Sequence, residues 1–74
     1  MSLLNSLNPG EFATIDAIDA DLSLSQRLLA MGFRAGKKIE LVRRASFNGP
    51  LHVRIGSTDV ILRESEAKLI LVSY

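Results

Sequence analysis

The stretch Ser23–Val42, SLSQRLLAMGFRAGKKIELV, contains the pattern that decides the fold. Its residues Leu24, Leu28 and Met31 are spaced i, i+4 and i+7, which places them on one face of an α-helix. Gly32 follows where a left-handed C-terminal cap is expected, because glycine adopts positive φ without a Cβ penalty. The stretch therefore predicts a short helix that ends at Met31-Gly32.

The residues on either side of this helix predict its start and its exit. Ser23 and Gln26 have the spacing of a capping box, so we expect the helix to begin there. Phe33 is expected to fold back onto Leu28, as the residue after such a cap commonly does. Ala35-Gly36 is predicted to form the centre of a type II turn that leads into a strand over Lys38–Ala45.

Alternating apolar and polar residues predict strands on both sides of this segment, over Glu11–Ile18, Leu51–Ile55, Asp59–Arg63 and Leu69–Val72. In the first of them Ala13, Ile15 and Ala17 are expected to face inward. Ile18 interrupts the alternation, which indicates a bulge or the end of pairing.

Three connections complete the pattern. Leu3, Leu4 and Leu7 predict a helical turn that Pro9-Gly10 ends. Glu64–Lys68 predicts a second helical turn. Asn48-Gly49 signals a hairpin, but Pro50 lacks the N–H that would close a tight turn, so a longer exposed loop is expected over Ser46–Pro50, with Phe47 near its tip. The chain is therefore predicted to be one mostly-β domain, residues 1–74, forming a small barrel of about five strands.

Composition limits the classes of function. The net charge is only +1, from nine basic and eight acidic side chains, so a dedicated nucleic-acid or anionic-membrane binder is not expected. There is no cysteine, and therefore no disulfide or thiolate metal site. The longest apolar run, Leu28–Phe33, is too short for membrane insertion, and the start of the chain lacks the features of a secretory signal. A soluble, cytoplasmic protein is expected.

The chain has few side chains that are suited to catalysis or to metal binding. The lone histidine, His52, has no serine, cysteine or carboxylate at a spacing that marks an active site, so the chain is not expected to be an enzyme. Asp16, Asp19 and Asp21 offer oxygen ligands to a divalent ion, but they do not match a calcium-loop spacing. No metal site is predicted, and a divalent-metal sensor that uses His52 or these aspartates stays a minor alternative.

Basic residues on the predicted strands allow a second alternative, a nucleic-acid-binding barrel. The strip consists of Lys37, Lys38, Arg43, Arg44 and Arg54. Only one aromatic residue is placed for stacking on bases, so a solvated polar face is the stronger interpretation.

Partner binding is the preferred interpretation, and the loop that carries Phe47 is its main candidate. An aromatic residue between flexible neighbours is suited to serve as an exposed anchor, whereas Met31 and Phe33 are expected in the core. The candidate partner-binding residues are Arg43, Phe47, Asn48, Pro50 and Arg54. Exposed strand edges leave weak self-association open.

The ordered motifs of this chain resemble the FeoA family of ferrous-iron transport proteins. The resemblance extends from about Leu7 to Val72. It rests on Pro9-Gly10, Gln26-Arg27-Leu28, Met31-Gly32, Gly36, Ile39, Arg43, Ala45, Gly49-Pro50, Leu62-Arg63, Glu66-Ala67 and Ile70. Gly10, Arg27, Leu28, Met31, Gly32, Gly36, Leu62, Arg63 and Ala67 are expected to be structural.

The resemblance implies an SH3-like barrel that acts with the FeoB membrane GTPase transporter as a regulator or adaptor of ferrous-iron uptake. Ferrous iron as a bound ion is implied only at the level of the family. The loop Ala45–Pro50 departs from the family pattern, which usually has Ala-Pro before a turn similar to Gly-Asp-Pro. Arg27 is expected to bond a carboxylate or a carbonyl, and Glu66 is expected within reach of Arg63.

Overall fold

The computed structural model describes residues 2–74. Its strands form one antiparallel sheet in the order β1-β6-β2-β3-β4-β5. In chain order the elements are β1 (Ser2–Leu3), a 3₁₀ helix (Leu4–Ser6), β2 (Phe12–Ile18), α1 (Leu22–Ala30), β3 (Lys38–Arg44), β4 (Leu51–Ile55), β5 (Thr58–Leu62), α2 (Glu64–Ala67) and β6 (Ile70–Ser73).

The predicted mostly-β fold with one main helix is confirmed, and the sheet gains a short sixth strand. Ser2 and Leu3 pair with Val72 and Leu71 of β6, so the first residues form a strand before the helical turn begins. The expected helical turn is a single 3₁₀ turn over Leu4–Ser6, which buries Leu4.

A single apolar core fills the inside of the sheet. Leu28, Phe33, Ile39 and Leu41 are fully buried in it, and the inward residues of β4 and β6 belong to the same core. In β4 the alternation is regular: Leu51, Val53 and Ile55 are buried while His52 and Arg54 point outward. This alternation gives β4 an outer face of polar side chains.

The start of α1 differs from the prediction. Asp21 is the N-cap, and its Oδ1 accepts the Leu24 N–H at 2.8 Å. The capping box expected at Ser23 and Gln26 is therefore wrong, because Ser23 already lies in the first helical turn. A carboxylate at the cap accepts the same hydrogen bond and also suits the positive end of the helix.

The end of α1 is the predicted left-handed cap. Gly32 has φ +97°, and its N–H donates to the Leu29 carbonyl at 3.0 Å. The Phe33 N–H donates to the Leu28 carbonyl at 2.9 Å. These two bonds form a Schellman motif, which turns Phe33 back into the core beside Leu28.

The turn after α1 also follows the prediction. Gly36 has φ +89°, and the Lys37 N–H donates to the Arg34 carbonyl at 3.2 Å, as in a type II turn. The Gly36 N–H donates to the Ile15 carbonyl at 2.8 Å, which fixes the turn against β2.

Bulges in β2 and β3 change which side chains face outward. The β2 register shifts between Ile15 and Ala17, so Ala17 is exposed and Ile18 packs partly against the core. The expected bulge is present, but it lies before Ile18, and the inward prediction for Ala17 is wrong. A second bulge between Leu41 and Arg43 has no sequence signal and leaves Arg43 exposed.

Within residues 2–74 no helix reaches the length and apolarity that crossing a bilayer requires.

Candidate functional site

The loop between β3 and β4 contains a tight turn centred on Phe47 and Asn48. Their φ values are 59° and 56°, and the Gly49 N–H donates to the Ser46 carbonyl at 3.2 Å. Positive φ at both central residues is the signature of a type I′ turn. The turn therefore lies one residue earlier than Asn48-Gly49, where the sequence signals it.

Pro50 does not prevent this tight turn because it contributes its carbonyl. The Ala45 N–H donates to the Pro50 carbonyl at 3.0 Å, and this bond closes the loop without needing a proline N–H. Gly49 is required for packing: a Cβ there would lie 2.8 Å from the Ala45 Cβ. Main-chain bonds and one close approach therefore fix the shape of the loop.

Phe47 is the most exposed large apolar side chain among residues 2–74, with a relative accessibility of 101%. Its left-handed backbone is also unfavourable for a residue with a Cβ, by about 1–2 kcal/mol. Neither burial nor backbone preference explains phenylalanine here. This combination is typical of a side chain kept for contact with another molecule.

Arg43 and Pro50 are exposed on the same end of the hairpin as Phe47 and Asn48. Arg43 lies opposite His52, two residues before Ala45. Four of the candidate partner-binding residues thus belong to one surface, which we call the loop surface: Arg43, Phe47, Asn48 and Pro50.

Arg54, the fifth candidate, lies towards the other end of β4 and is engaged by carboxylates. Its Nε donates to Asp59 Oδ1 at 2.7 Å and its Nη2 to Asp59 Oδ2 at 3.2 Å. Its Nη1 lies 3.8 Å from Glu40 Oε1. In register, Phe12, Glu40, Arg54 and Asp59 form one row across four strands, which we call the charged row.

The charged row fixes the ionisation of Asp59. Hydrogen bonds from Arg54, and then the contact with His52, lower the pKa of Asp59 to about 2. His52 Nε2 lies 3.0 Å from Asp59 Oδ2. Asp59 in turn raises the pKa of Arg54. Arg54 therefore belongs to the charged row on the outer face of the sheet and lies apart from the loop surface.

Arg44 makes contacts that the sequence did not indicate. Its Nη2 donates to the carbonyls of Asn5 at 2.6 Å and Leu7 at 2.8 Å, and Nη1 lies 3.7 Å from Glu64 Oε2. Glu64 Oε1 also accepts the Asn5 side-chain amide at 2.7 Å. Arg44 thus fixes the 3₁₀ segment to the end of β3. Of the predicted basic strip, Arg44 and Arg54 are committed to contacts within the chain.

Glu66 joins α1 to the start of α2. Its Oε2 accepts Arg27 Nη2 at 3.0 Å, and its Oε1 accepts the Arg63 N–H at 2.9 Å. The carboxylate partner expected for Arg27 is thus Glu66, and the same side chain caps α2. These contacts place Arg27 and Arg63 in the framework of the fold.

Two of the three aspartates considered as metal ligands accept hydrogen bonds within the chain. Asp21 caps α1, and Asp16 Oδ1 accepts the Ser73 hydroxyl at 3.0 Å. Among residues 2–74 no three His, Asp or Glu side chains come together in a way that could hold a metal ion. The structure therefore does not identify residues for the metal-sensing alternative.

A groove runs beside the start of β3 and was not indicated by the sequence. One hollow of about 230 Å³ is lined by Phe12, Lys38, Glu40, Arg54 and Gly56. A second, of about 460 Å³, is lined by Met31, Gly32, Lys37, Lys38, Ile55, Gly56, Ser57 and Thr58. The hollows share Lys38 and Gly56. The groove combines the end of α1 with the β4–β5 turn, which only the sheet register brings together.

The known proteins that are similar to this chain point to one family. The FeoA domain model matches residues 2–74. A Campylobacter jejuni protein named Fe(2+) transport protein A is 36% identical over 70 residues, which cover 95% of each chain. The crystal structure of Stenotrophomonas maltophilia FeoA in complex with zinc, described as a prokaryotic SH3 domain protein, is 28% identical with a TM-score of 0.86. The match covers 99% of this chain and 91% of that one. This likeness confirms the predicted SH3-like fold.

The same fold occurs inside a larger regulator. A manganese-dependent transcriptional repressor contains a region 27% identical to this chain, with a TM-score of 0.86. The match covers 99% of this chain but only 41% of the repressor.

Proposed function

The chain belongs to the FeoA domain family, and from this membership we propose that it is a small cytoplasmic accessory protein of bacterial ferrous-iron uptake. It acts by binding the cytoplasmic GTP-binding part of a FeoB-type membrane transporter. Membership of the family supports a role as an accessory protein of ferrous-iron transport. What we propose beyond this role is the FeoB-type partner, the cytoplasmic location and the contact surface.

The binding role is best supported by the exposure and the backbone conformation of Phe47. The side chain is fully exposed while its backbone has φ 59°. Burying a phenylalanine contributes about 1.5–3 kcal/mol, which offsets the conformational cost of holding it in this turn. Arg43, at the end of β3 before the loop, is exposed as well, and arginine is enriched with aromatic residues at protein interfaces.

The test is a pull-down of the purified cytoplasmic domain of the transporter by this chain, with and without guanine nucleotide. Phe47→Ala is expected to weaken binding about tenfold or more, as loss of a central aromatic anchor does. Leu22→Ala is the matched control, because Leu22 is also an exposed large apolar side chain, with a relative accessibility of 73%. The control is expected to bind as the parent chain does.

Failure to bind in either nucleotide state, and also to membranes that contain the intact transporter, contradicts the proposed function. Binding that Phe47→Ala leaves unchanged would instead contradict only the assignment of the loop surface. The two results are therefore distinguishable.

A second candidate function is divalent-metal sensing, which the likeness to the manganese-dependent repressor favours. Anaerobic calorimetry with ferrous ion tests it directly. Heat that saturates at one ion per chain would support it, and no heat at millimolar metal contradicts it.

Binding of nucleic acid is less well supported, because Arg44 and Arg54 already contact groups of the same chain. Its signature is binding that weakens steeply with salt. A labelled single strand that does not bind at low salt rules it out.

A further inference from the structure

The net charge of +1 conceals a local excess of positive charge around the groove. Arg34, Lys37 and Lys38 are all exposed and lie within one turn and the start of β3. The ion pairs among residues 2–74 use Arg27, Arg44, Arg54 and His52, and they leave Lys37 and Lys38 without a carboxylate partner. Both lysines line the larger hollow.

The groove also has an apolar part. Met31 packs partly against the core, and Ile55 is almost completely buried, so both present carbon atoms at the bottom of the hollow. At the far end of the groove Phe12 is half exposed, with a relative accessibility of 51%. The groove thus offers apolar contact at two points along its length, with ammonium groups between them.

Lys38 contacts a side chain that lines the same groove. Its Nζ lies 5.1 Å from the centre of the Phe12 ring, which is within cation–π distance. Lys38 lines both hollows, so its ammonium can reach a ligand in either of them.

Three of the last four carbonyls of the nearby helix α1 are already hydrogen-bonded, which weakens their repulsion of an anion. The helix C-terminus would normally present partly negative carbonyl oxygens. Here the carbonyls of Arg27, Leu28 and Leu29 already accept capping N–H groups from Met31, Gly32 and Phe33. The single carboxylate that lines the groove, Glu40, lies 3.8 Å from Arg54 in the smaller hollow.

We propose that this groove binds an extended acidic segment of a partner protein, with carboxylates at Lys37 and Lys38 and an apolar side chain over Met31 and Ile55. Ser57 and Thr58 of the β4–β5 turn line the same hollow and can bond the main chain of the segment. A concave site with an apolar floor suits a polypeptide better than a flat lipid surface. The groove is a second surface, separate from the loop surface, and its occupancy does not depend on the identity of the transporter.

The test uses a fluorescein-labelled, acetylated peptide of alternating glutamate and valine, with a matched peptide in which glutamine replaces glutamate. Anisotropy at low salt is expected to show binding of the glutamate peptide only, weakening as salt rises. The double variant Lys37→Gln/Lys38→Gln is expected to bind about tenfold more weakly, because it removes two exposed charge contacts. Lys68→Gln, which removes an exposed lysine outside the groove, is the control and is expected to bind normally.

Amide shift mapping by NMR supplies the second readout. The expected perturbations fall on Met31, Gly32, Lys37, Lys38 and the turn Gly56–Thr58. Lys37→Gln alone gives a variant that keeps Lys38 over Phe12, should the double variant fold poorly. Equal binding of both peptides, an unchanged affinity for the lysine variants, or perturbations confined to other residues would overturn the proposal. So would binding to anionic phospholipid vesicles without binding to the peptide, or no peptide binding at millimolar concentration.

Discussion

The turn at α2 and the loop between β3 and β4 are both short connections, but they are held in different ways. Around α2, charged side chains from distant parts of the chain find partners: Arg27 with Glu66, and Arg44 with Glu64 and two carbonyls of the N-terminal segment. In the loop, main-chain bonds and the close approach of Gly49 to Ala45 set the shape, and its largest side chain faces solvent. The contacts that stabilise the framework therefore lie apart from the exposed loop that we propose as the recognition surface.

Leu28→Ala should have the largest effect, because Leu28 anchors α1 and is fully buried. Large-to-small changes of this kind cost about 2–5 kcal/mol of the free energy of unfolding. The total for a chain of 74 residues is about 4–11 kcal/mol, so the variant is expected to be marginal. Urea denaturation followed by circular dichroism measures the loss. A urea midpoint close to that of the parent chain would contradict the expectation that Leu28 stabilises the core.

Arg44→Ala comes next, with an expected loss of about 1–3 kcal/mol in the free energy of unfolding. It removes hydrogen bonds to two backbone carbonyls and leaves Glu64 without its cation. Arg43→Ala is the matched control, since that neighbouring arginine is exposed and should change stability by no more than about 0.5 kcal/mol. Equal losses of unfolding free energy in the two variants would contradict the view that Arg44, and not Arg43, stabilises the fold.

The pH dependence of stability should reveal the charged row. The pKa of Asp59 is lowered in the folded chain from 3.8 to about 2. The folded form therefore holds the ionised carboxylate more strongly, and the stabilisation is present above pH 3.8 and lost as the pH falls through 2. Asp59→Asn should flatten the acid limb of a plot of unfolding free energy against pH. Asp19→Asn is the control, because the exposed Asp19 carboxylate makes no side-chain contact of this kind within residues 2–74. Acid limbs of equal slope in the parent and Asp59→Asn would contradict the expectation.

Phe47→Asn should have the smallest effect on stability while acting on binding. Asparagine tolerates positive φ better than phenylalanine does, and no core contact is removed. The free energy of unfolding is expected not to fall, and to rise by no more than about 1 kcal/mol as the backbone cost is relieved. Thermal denaturation measures it. A clear loss of stability would show that Phe47 belongs to the framework after all.

Patterns that depend on neighbours in the chain could be predicted from the sequence. The end of α1 is one case, because Gly32 and Phe33 satisfy the helix carbonyls locally. The strand alternation of β4 is another, since one buried face dictates it. The exposed tip at Phe47 followed from its flanking turn residues.

Features that depend on register could not be predicted. Arg44 meets the 3₁₀ segment across a sequence separation of 37 to 39 residues, and nothing near it signals that contact. The charged row and the groove exist only because the strands pair as they do and β3 contains a bulge. Arg54 is predicted among the same partner-binding candidates as the loop residues, but the register places it towards the other end of β4. The position of the N-cap was missed because Asp21 and Ser23 are both good caps, and only the path of the chain decides between them.

The pairing of β1 with β6 has a consequence for how this fold is connected to other polypeptide. Ser2 lies opposite Val72, so the two ends of the described chain emerge side by side from neighbouring strands. A host protein can therefore accept the whole unit through a single point of entry and exit. A circular permutant with these ends joined by a short linker is expected to keep every strand pairing of the sheet.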